Sequence, residues 1–398
     1  MISLHDIEEA RERVKPVVRA TPVDVSDSLS RLAGRRVLFK PEYRQRTGSF
    51  KIRGAYNRIS RLPAGGHVVA ASAGNHAQGV ALAAHLTGQR ATIFMPVNAP
   101  LPKVEATRGY GAEVRLAGDV VDDSLAAARA FADEAGAVFV PPFDDPLIVA
   151  GQGTVGLEIA EEAPDAEVVV VPVGGGGLIA GVATALANTR RGCRVVGVEA
   201  AGATAMLAAM EARRTVTVGG VATMADGIAV KTVCDLTLSH VQAFVDDVVT
   251  VDEEQISQAV LLLLERGKAV VEPAGAVALA AVLAGKVAGT GPVVAVLSGG
   301  NVDPLLLTKL IDHGLSAAGR FLRLRIILGD HPGALALVTG AVAELGLNVL
   351  DVAHNRSGVP LGVDEVEVLF TLETRDPEHR EEVVGSLRKL GYRVELLP

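Results

Sequence analysis

Three short glycine-bearing segments concentrate the residue types able to do chemistry. In Arg-Thr-Gly-Ser-Phe-Lys-Ile-Arg (46–53), Lys51 falls in the first turns of a helix whose other face is apolar. The ammonium form is disfavoured near a helix N-terminus and wherever it loses water. A depressed pKa makes an amine nucleophilic enough to form a Schiff base. Taken alone, the same lysine also reads as a solvated surface residue. In Ala-Ser-Ala-Gly-Asn-His (71–76) a strand gives way to a helix, whose free N–H groups would bind a carboxylate. Asn75 could donate to a ring oxygen. As an N-cap cluster these residues need no ligand. In Val-Gly-Gly-Gly-Gly-Leu (173–178) four consecutive glycines separate a strand from a helix. Such a run is costly to order, and its bare N–H groups suit a phosphate. Gly175, Gly177 and Ala180 also satisfy the loose dinucleotide fingerprint, with Glu199 near where a ribose-binding acid belongs. On this segment alone a nicotinamide dinucleotide stays open. Ser298 ends a further strand, ahead of Gly299 and Gly300.

The elements that must position these turns are legible from patterning. Short β-branched runs at 36–40, 67–72, 91–96, 112–117, 137–140, 167–173, 193–199, 246–251 and 292–298 read as strands, several of them apolar on both faces. Helical patterns fill the gaps, among them 75–86, 121–135, 177–188, 253–266 and 274–284. This alternation predicts a doubly wound α/β fold, in which ligands sit where strand C-termini meet glycine-rich turns. After a helix over 302–317 the pattern changes. Residues 321–328, 331–346, 348–356, 364–374, 376–391 and 392–397 read β-α-β-β-α-β, a ferredoxin-like order. The boundary falls near Arg320.

Composition narrows the partners. The chain has 398 residues, 38 Lys and Arg against 46 Asp and Glu, and a net charge of −8. It lacks the basic footprint of a nucleic-acid binder. Nearly half of it, 49%, is hydrophobic, enough for a large core. The most apolar stretch, 256–285, is broken by Glu265, Arg266, Lys268 and Glu272, so no membrane span is expected. Cys193 and Cys234 form no CxxC or zinc spacing, and a charged amphipathic helix opens the chain where a signal peptide would need an apolar run. A cytoplasmic location is expected.

Taken in order, Ser49-Phe50-Lys51, the turn at Ser72 to His76, the run Gly174 to Leu178, and Ser298-Gly299-Gly300-Asn301 resemble the fold-type II enzymes that use pyridoxal phosphate. Within them the likeness is to the threonine dehydratase (threonine ammonia-lyase) and serine racemase group, over about residues 4–317. Asp330-His331-Pro332-Gly333-Ala334-Leu335 looks like the start of an ACT domain, a module that binds amino acids in regulated enzymes. The resemblance implies a tryptophan synthase β-like catalytic domain over 1–320, made of two open α/β subdomains, the smaller (roughly 48–150) inserted in the larger. A regulatory βαββαβ ACT domain would occupy 321–398.

The resemblance also implies roles. Lys51 holds the cofactor as a Schiff base and moves the Cα proton. Phe50 packs on the ring, Asn75 bonds its phenolic oxygen, and Ser298 faces the pyridine nitrogen. Gly174, Gly175, Gly176, Gly177 and Leu178 cradle the phosphate. Ser72, Ala73, Gly74, Asn75 and His76 take the substrate carboxylate. The implied reaction converts L-threonine, and also L-serine, to a 2-oxo acid and ammonia by loss of the β-hydroxyl. A serine hydroxyl cannot hold the pyridine nitrogen protonated as a carboxylate would, so elimination is favoured over transamination. Ala73 stands where serine racemases carry a proton-donating serine, so racemisation is expected to be slow. A serine or 3-hydroxyaspartate dehydratase and a serine racemase are the alternatives within the family. A catalytically silent amino-acid sensor is the alternative outside it. Some relatives hold a divalent metal near this strand end, but residues 200–205 after Glu199 carry no second carboxylate, so no metal site is assigned, and a monovalent ion held by carbonyls stays open. Glu272 approaches the cofactor without an assigned role. Asp330, His331, Gly333, Ala334, Leu335 and Asn348 would meet an effector such as isoleucine or valine, in a homo-oligomer (dimer or tetramer).

Overall fold

A computed structural model describes residues 1–317, 319–356 and 361–397. Residues 318, 357–360 and 398, inside or beside the expected regulatory part, lie outside that description. The chain divides into two compact units, Met1–Pro304 and Leu305–Pro398, so the helix Pro304–Ala317 groups almost entirely with the second.

The first unit holds two sheets. The larger has six strands in the order Asp24–Val25, Val37–Lys40, Val293–Val296, Val168–Pro172, Arg194–Ala200 and Asp247–Val251. All its pairings are parallel except the first. Runs such as Val168 to Val171 are buried on both faces, which a parallel sheet covered by helices on both sides requires. The smaller sheet is wholly parallel, in the order Glu113–Leu116, Arg90–Met95, His67–Ala71 and Val138–Phe139. The alternating pattern thus forms two open sheets.

Helix packing brings the lysine segment into this frame. The helix Lys51–Ile59 buries Ile52, Ala55 and Ile59 against Val68, Ala70 and Val80 of the smaller sheet and its helix Asn75–Leu86. It crosses the helix Pro146–Glu162 at paired glycines, where a Cβ on Gly151 would lie 2.6 Å from Gly54 Cα. A Cβ on Gly79 would lie 3.2 Å from Lys51 Cβ, so glycine lets the helix Asn75–Leu86 approach the lysine closely.

The second unit carries a four-stranded antiparallel sheet in the order Asn348–Asn355, Glu365–Glu373, Phe321–Gly329, Arg393–Leu396. The helices Ala334–Glu344 and Pro377–Lys389 connect it in the expected βαββαβ sequence. Val338, Val342, Val383 and Leu387 close its core over Leu324 and Phe370.

Candidate active site

Five chain segments leave the C-terminal ends of strands in the two sheets of the first unit and converge. Lys51 opens its helix. The loop before it is stitched to the turn after strand Val293–Val296. Phe50 N–H donates to the Ser298 carbonyl (3.2 Å), Gly300 N–H donates to the Gly48 carbonyl (2.9 Å), and Ser49 forms an antiparallel bridge with Gly299. The Lys51 side chain is partly buried, and its Nζ donates to the Pro142 carbonyl at 3.1 Å, just beyond strand Val138–Phe139. The Phe50 ring centroid lies 5.2 Å from Nζ. Protein packed around the amine pushes its pKa down to about 8, while the charge of Glu272 pulls it partway back up. A substantial minority of the amine is therefore in the neutral, nucleophilic form near physiological pH, where an ordinary lysine has almost none.

The turn 72–76 follows strand His67–Ala71 and leads into the helix Asn75–Leu86, whose N-terminus carries no side-chain cap. The free N–H groups of that end remain available to an anion. Ser72 Oγ accepts from Gly74 N–H at 3.1 Å. His76 contributes backbone only, because its ring is buried and Nε2 sits 2.9 Å from the Val140 carbonyl. Burial, and then the Lys51 charge, depress its pKa to about 3, so the ring is neutral.

The run 174–177 follows strand Val168–Pro172 and opens the helix Gly177–Thr189, again without a side-chain cap. Gly176 adopts φ +86°, a left-handed conformation that glycine takes without strain. A Cβ on Gly175 would fall 2.1 Å from the Phe143 ring, and one on Gly174 2.9 Å from Ile228 Cα. The loop has no room for side chains at these positions and stays bare backbone. Leu178 is buried behind it.

Glu199 has a different role from the one a dinucleotide site needs. Its buried carboxylate accepts Met206 N–H (2.8 Å) and Leu207 N–H (2.9 Å), capping the helix Ala205–Ala212, and burial raises its pKa to about 7. Among the described residues no group of three or more His, Cys, Asp or Glu is placed to hold a metal ion.

A polar relay completes the site. Asn301 Nδ2 donates to the Thr47 carbonyl (2.7 Å) and to Asn75 Oδ1 (2.7 Å), and Asn75 Nδ2 donates to Glu272 Oε1 (2.5 Å). Glu272 is buried at the N-cap of the helix Pro273–Leu283. Burial, then the charge of Asp226, raise its pKa to about 7. The hydroxyls of Thr47 and Ser49 are buried without a hydrogen-bond partner. The sequence marks Glu272 without giving it a role, and nothing local in it singles out Asn301 as a side-chain donor.

Comparison with known proteins agrees with this geometry. The family described as pyridoxal-phosphate dependent enzyme matches residues 14–299, and the ACT domain family matches residues 322–392. The chain belongs to the pyridoxal-phosphate-dependent enzyme family. It also carries a C-terminal ACT domain. The L-threonine ammonia-lyase of Thermotoga maritima is 49% identical over all of both chains. Threonine deaminase isoform 2 of Solanum lycopersicum superposes with a TM-score of 0.74 at 38% identity, over 78% of this chain and 86% of that one. Maize serine racemase gives a TM-score of 0.74 at 36% identity, over 79% and 98%.

The residues present fit the family's cofactor. An amine near neutrality, two orphaned buried hydroxyls and a side-chain-free cradle of N–H groups would receive an aldehyde, a polar ring and a phosphate. No helix among the described residues is long and apolar enough to cross a membrane.

Proposed function

We propose that this chain deaminates L-threonine to 2-oxobutanoate and ammonia. The observation that carries the chemistry is Lys51. It is an amine held near neutrality with no carboxylate paired to it among the described residues, where the turns 72–76, 174–177 and 298–301 meet. The substrate is supported by full-length likeness to an L-threonine ammonia-lyase.

Pyridoxal phosphate, when bound, supplies the electron sink that makes a Cα carbanion accessible. The chain's own residues do the rest. Lys51 Nζ would hold the cofactor through its aldehyde and, when free, would take the Cα proton of the substrate. The uncapped helix end at Gly74 and Asn75 binds the substrate carboxylate. Leu178 and the N–H groups of Gly174, Gly175, Gly176 and Gly177 would hold the phosphate. Phe50 would pack on the ring, Asn75 would bond its oxygen and Ser298 would face its nitrogen. Loss of the β-hydroxyl as water gives an enamine, which tautomerises to an imine and hydrolyses to the 2-oxo acid and ammonia. Ala73 carries no proton to deliver to the opposite face of Cα, which favours elimination over racemisation despite the likeness to a serine racemase.

The test is ammonia and 2-oxo-acid release from L-threonine, L-serine and 3-hydroxyaspartate by cofactor-loaded protein. The largest kcat/KM is expected for L-threonine. Preference for another substrate would reassign the reaction within the family, and no release from any of the three would favour a silent sensor.

We also propose amino-acid control through the second unit. The helix Ala334–Glu344 starts uncapped behind Gly333 at φ +91°, with Leu335 exposed beside it. Asp330 pairs with Arg356 at 3.1 Å, the His331 ring sits 3.2 Å from the Pro332 carbonyl, and Asn348 starts the edge strand. That strand exposes Val349, Leu350 and Val352, a face suited to a second copy of the chain in a homo-oligomer. Isoleucine or valine is the proposed effector, in a cytoplasmic enzyme serving isoleucine formation. Either should shift threonine saturation of the full-length oligomer through a coupling of ~1–3 kcal/mol. Superimposable saturation curves with and without each amino acid would remove this control.

A further inference from the structure

Glu272 has no part in the chemistry above, yet its carboxyl is buried in the site. Burying a carboxyl is costly unless its oxygens are well bonded. Among the described residues no cation pairs with it; its partners are the Asn75 amide and the Asn301 backbone N–H. The local backbone is built to hold it there. Glu272 N–H donates to the Gly299 carbonyl at 3.1 Å, and Pro273 follows at the first position of the helix. Position 299 has to be glycine for the contact to exist. A Cβ there would fall 2.2 Å from Glu272 Oε1 and 2.9 Å from Asn75 Nδ2.

The relay also has a direction. The Thr47 carbonyl can only accept, which fixes the NH2 end of the Asn301 amide. That same NH2 group meets Asn75 Oδ1, which fixes the oxygen end of Asn75. The Asn75 NH2 group then faces Glu272. Reversing Asn75 would set two NH2 groups against each other at one end and an amide oxygen against a carboxyl oxygen at the other. An amide NH2 has two hydrogens. Glu272 takes one.

We propose that Glu272 is a positioning residue for the deamination: by accepting one N–H of Asn75 it locks the amide so that the second N–H serves the cofactor's ring oxygen. The inference rests on the reading of Lys51 and Asn75 as cofactor ligands. What matters is an acceptor oxygen at this place, not a charge. Asp226, Lys103 and Lys51 are the charged groups whose fields reach the carboxyl, and Asp226 and Lys103 are themselves paired at 2.5 Å.

The test compares wild type, Glu272→Ala and Glu272→Gln, each loaded with pyridoxal phosphate. The readout is the pH titration of the bound cofactor's visible absorbance. Loss of a donor to an anionic ring oxygen moves that titration to higher pH. The shift expected for Glu272→Ala is about one unit, with cofactor affinity down by roughly tenfold, the size of one net hydrogen bond. Glu272→Gln keeps an acceptor oxygen in the same shape and should titrate with wild type. The alanine variant should lose kcat with little change in KM. A folded Glu272→Ala that titrates as wild type overturns the proposal, as does a Gln variant shifted as far as Ala. If the alanine variant does not fold, Asn301→Ala removes the other tether on Asn75. The same upward shift supports the proposal there, and a coincident curve overturns it. Borohydride labelling of Lys51 in wild type separates the two levels. Labelled wild type with unshifted variants removes the role of Glu272 alone, and unlabelled wild type removes the cofactor reading beneath it.

Discussion

Arg53 lies two residues beyond Lys51 on the same helix and is fully buried. Its Nε and Nη2 donate to the two oxygens of Glu42 at 2.8 Å each, and Nη1 and Nη2 donate to Glu158 at 2.6 and 2.9 Å. Burial alone would lower its pKa, but the two carboxylates outweigh burial and raise it. Arg53→Met keeps the apolar stem and deletes every one of these bonds. Glu158 retains Lys40 at 2.7 Å, but Glu42, itself fully buried, is left with the Thr21 hydroxyl at 2.5 Å. Stranding one buried charge costs about 3–5 kcal/mol, a large part of the ~5–15 kcal/mol that holds a domain together. Urea denaturation of apoprotein should show this as a lower midpoint. Adding Glu42→Leu removes the stranded carboxylate and should restore most of the loss, since replacing a whole buried pair by apolar groups is often neutral. The pH dependence has a definite sign. Glu158 has a lowered pKa, because the Arg53 and Lys40 charges overcome its burial. It therefore contributes stability above the unfolded carboxyl range that is lost as pH falls through its folded value. The gap between wild type and Arg53→Met should be widest near neutrality and narrow in acid. A single variant within 1 kcal/mol of wild type, roughly the effect of an exposed pair, would refute the reasoning. So would a double variant as unstable as the single one.

Three further outcomes follow from the site. Gly175→Ala would place a methyl 2.1 Å from the Phe143 ring; about 1–3 kcal/mol of overpacking should weaken cofactor binding roughly 5- to 150-fold, and unchanged affinity would show that the loop has room. Lys51 in apoprotein should react with a small aldehyde and reductant with a midpoint near pH 8, because enclosure disfavours the cation; a midpoint at the ordinary lysine value, near 10.5, would contradict this. Ala73→Ser should gain measurable conversion of L-serine to D-serine, read with a chiral assay, whereas rapid racemisation by the unaltered protein would undo the part given to Ala73.

The strands were legible because parallel strands covered on both faces are written as continuous apolar runs, and Val168–Pro172 and Val293–Val296 lie inside the stretches expected for them. The strand Asp24–Val25 is two exposed residues long and leaves no such trace. The separation into two sheets was not visible in periodicity, since pairing is decided between segments far apart in the chain. The bridge between Ser49 and Gly299 is one such case. The site turns could be read because glycine runs and polar residues at strand ends are rare and local. Their electrostatics could not. Arg53 reads as one more polar helix residue until the fold sets Glu42 and Glu158 around it, and Glu199 reads as a ribose ligand until a helix end consumes its oxygens.

The proposed covalent attachment at position 51 supports everything else. Protein isolated with pyridoxal phosphate, reduced with borohydride and digested, should yield one peptide carrying the reduced cofactor, with the modification on Lys51. Loss of the cofactor's visible absorbance should accompany the labelling, and the chain has no tryptophan to obscure its fluorescence. An unmodified Lys51 peptide from fully loaded protein, or a label on another lysine, would contradict the account.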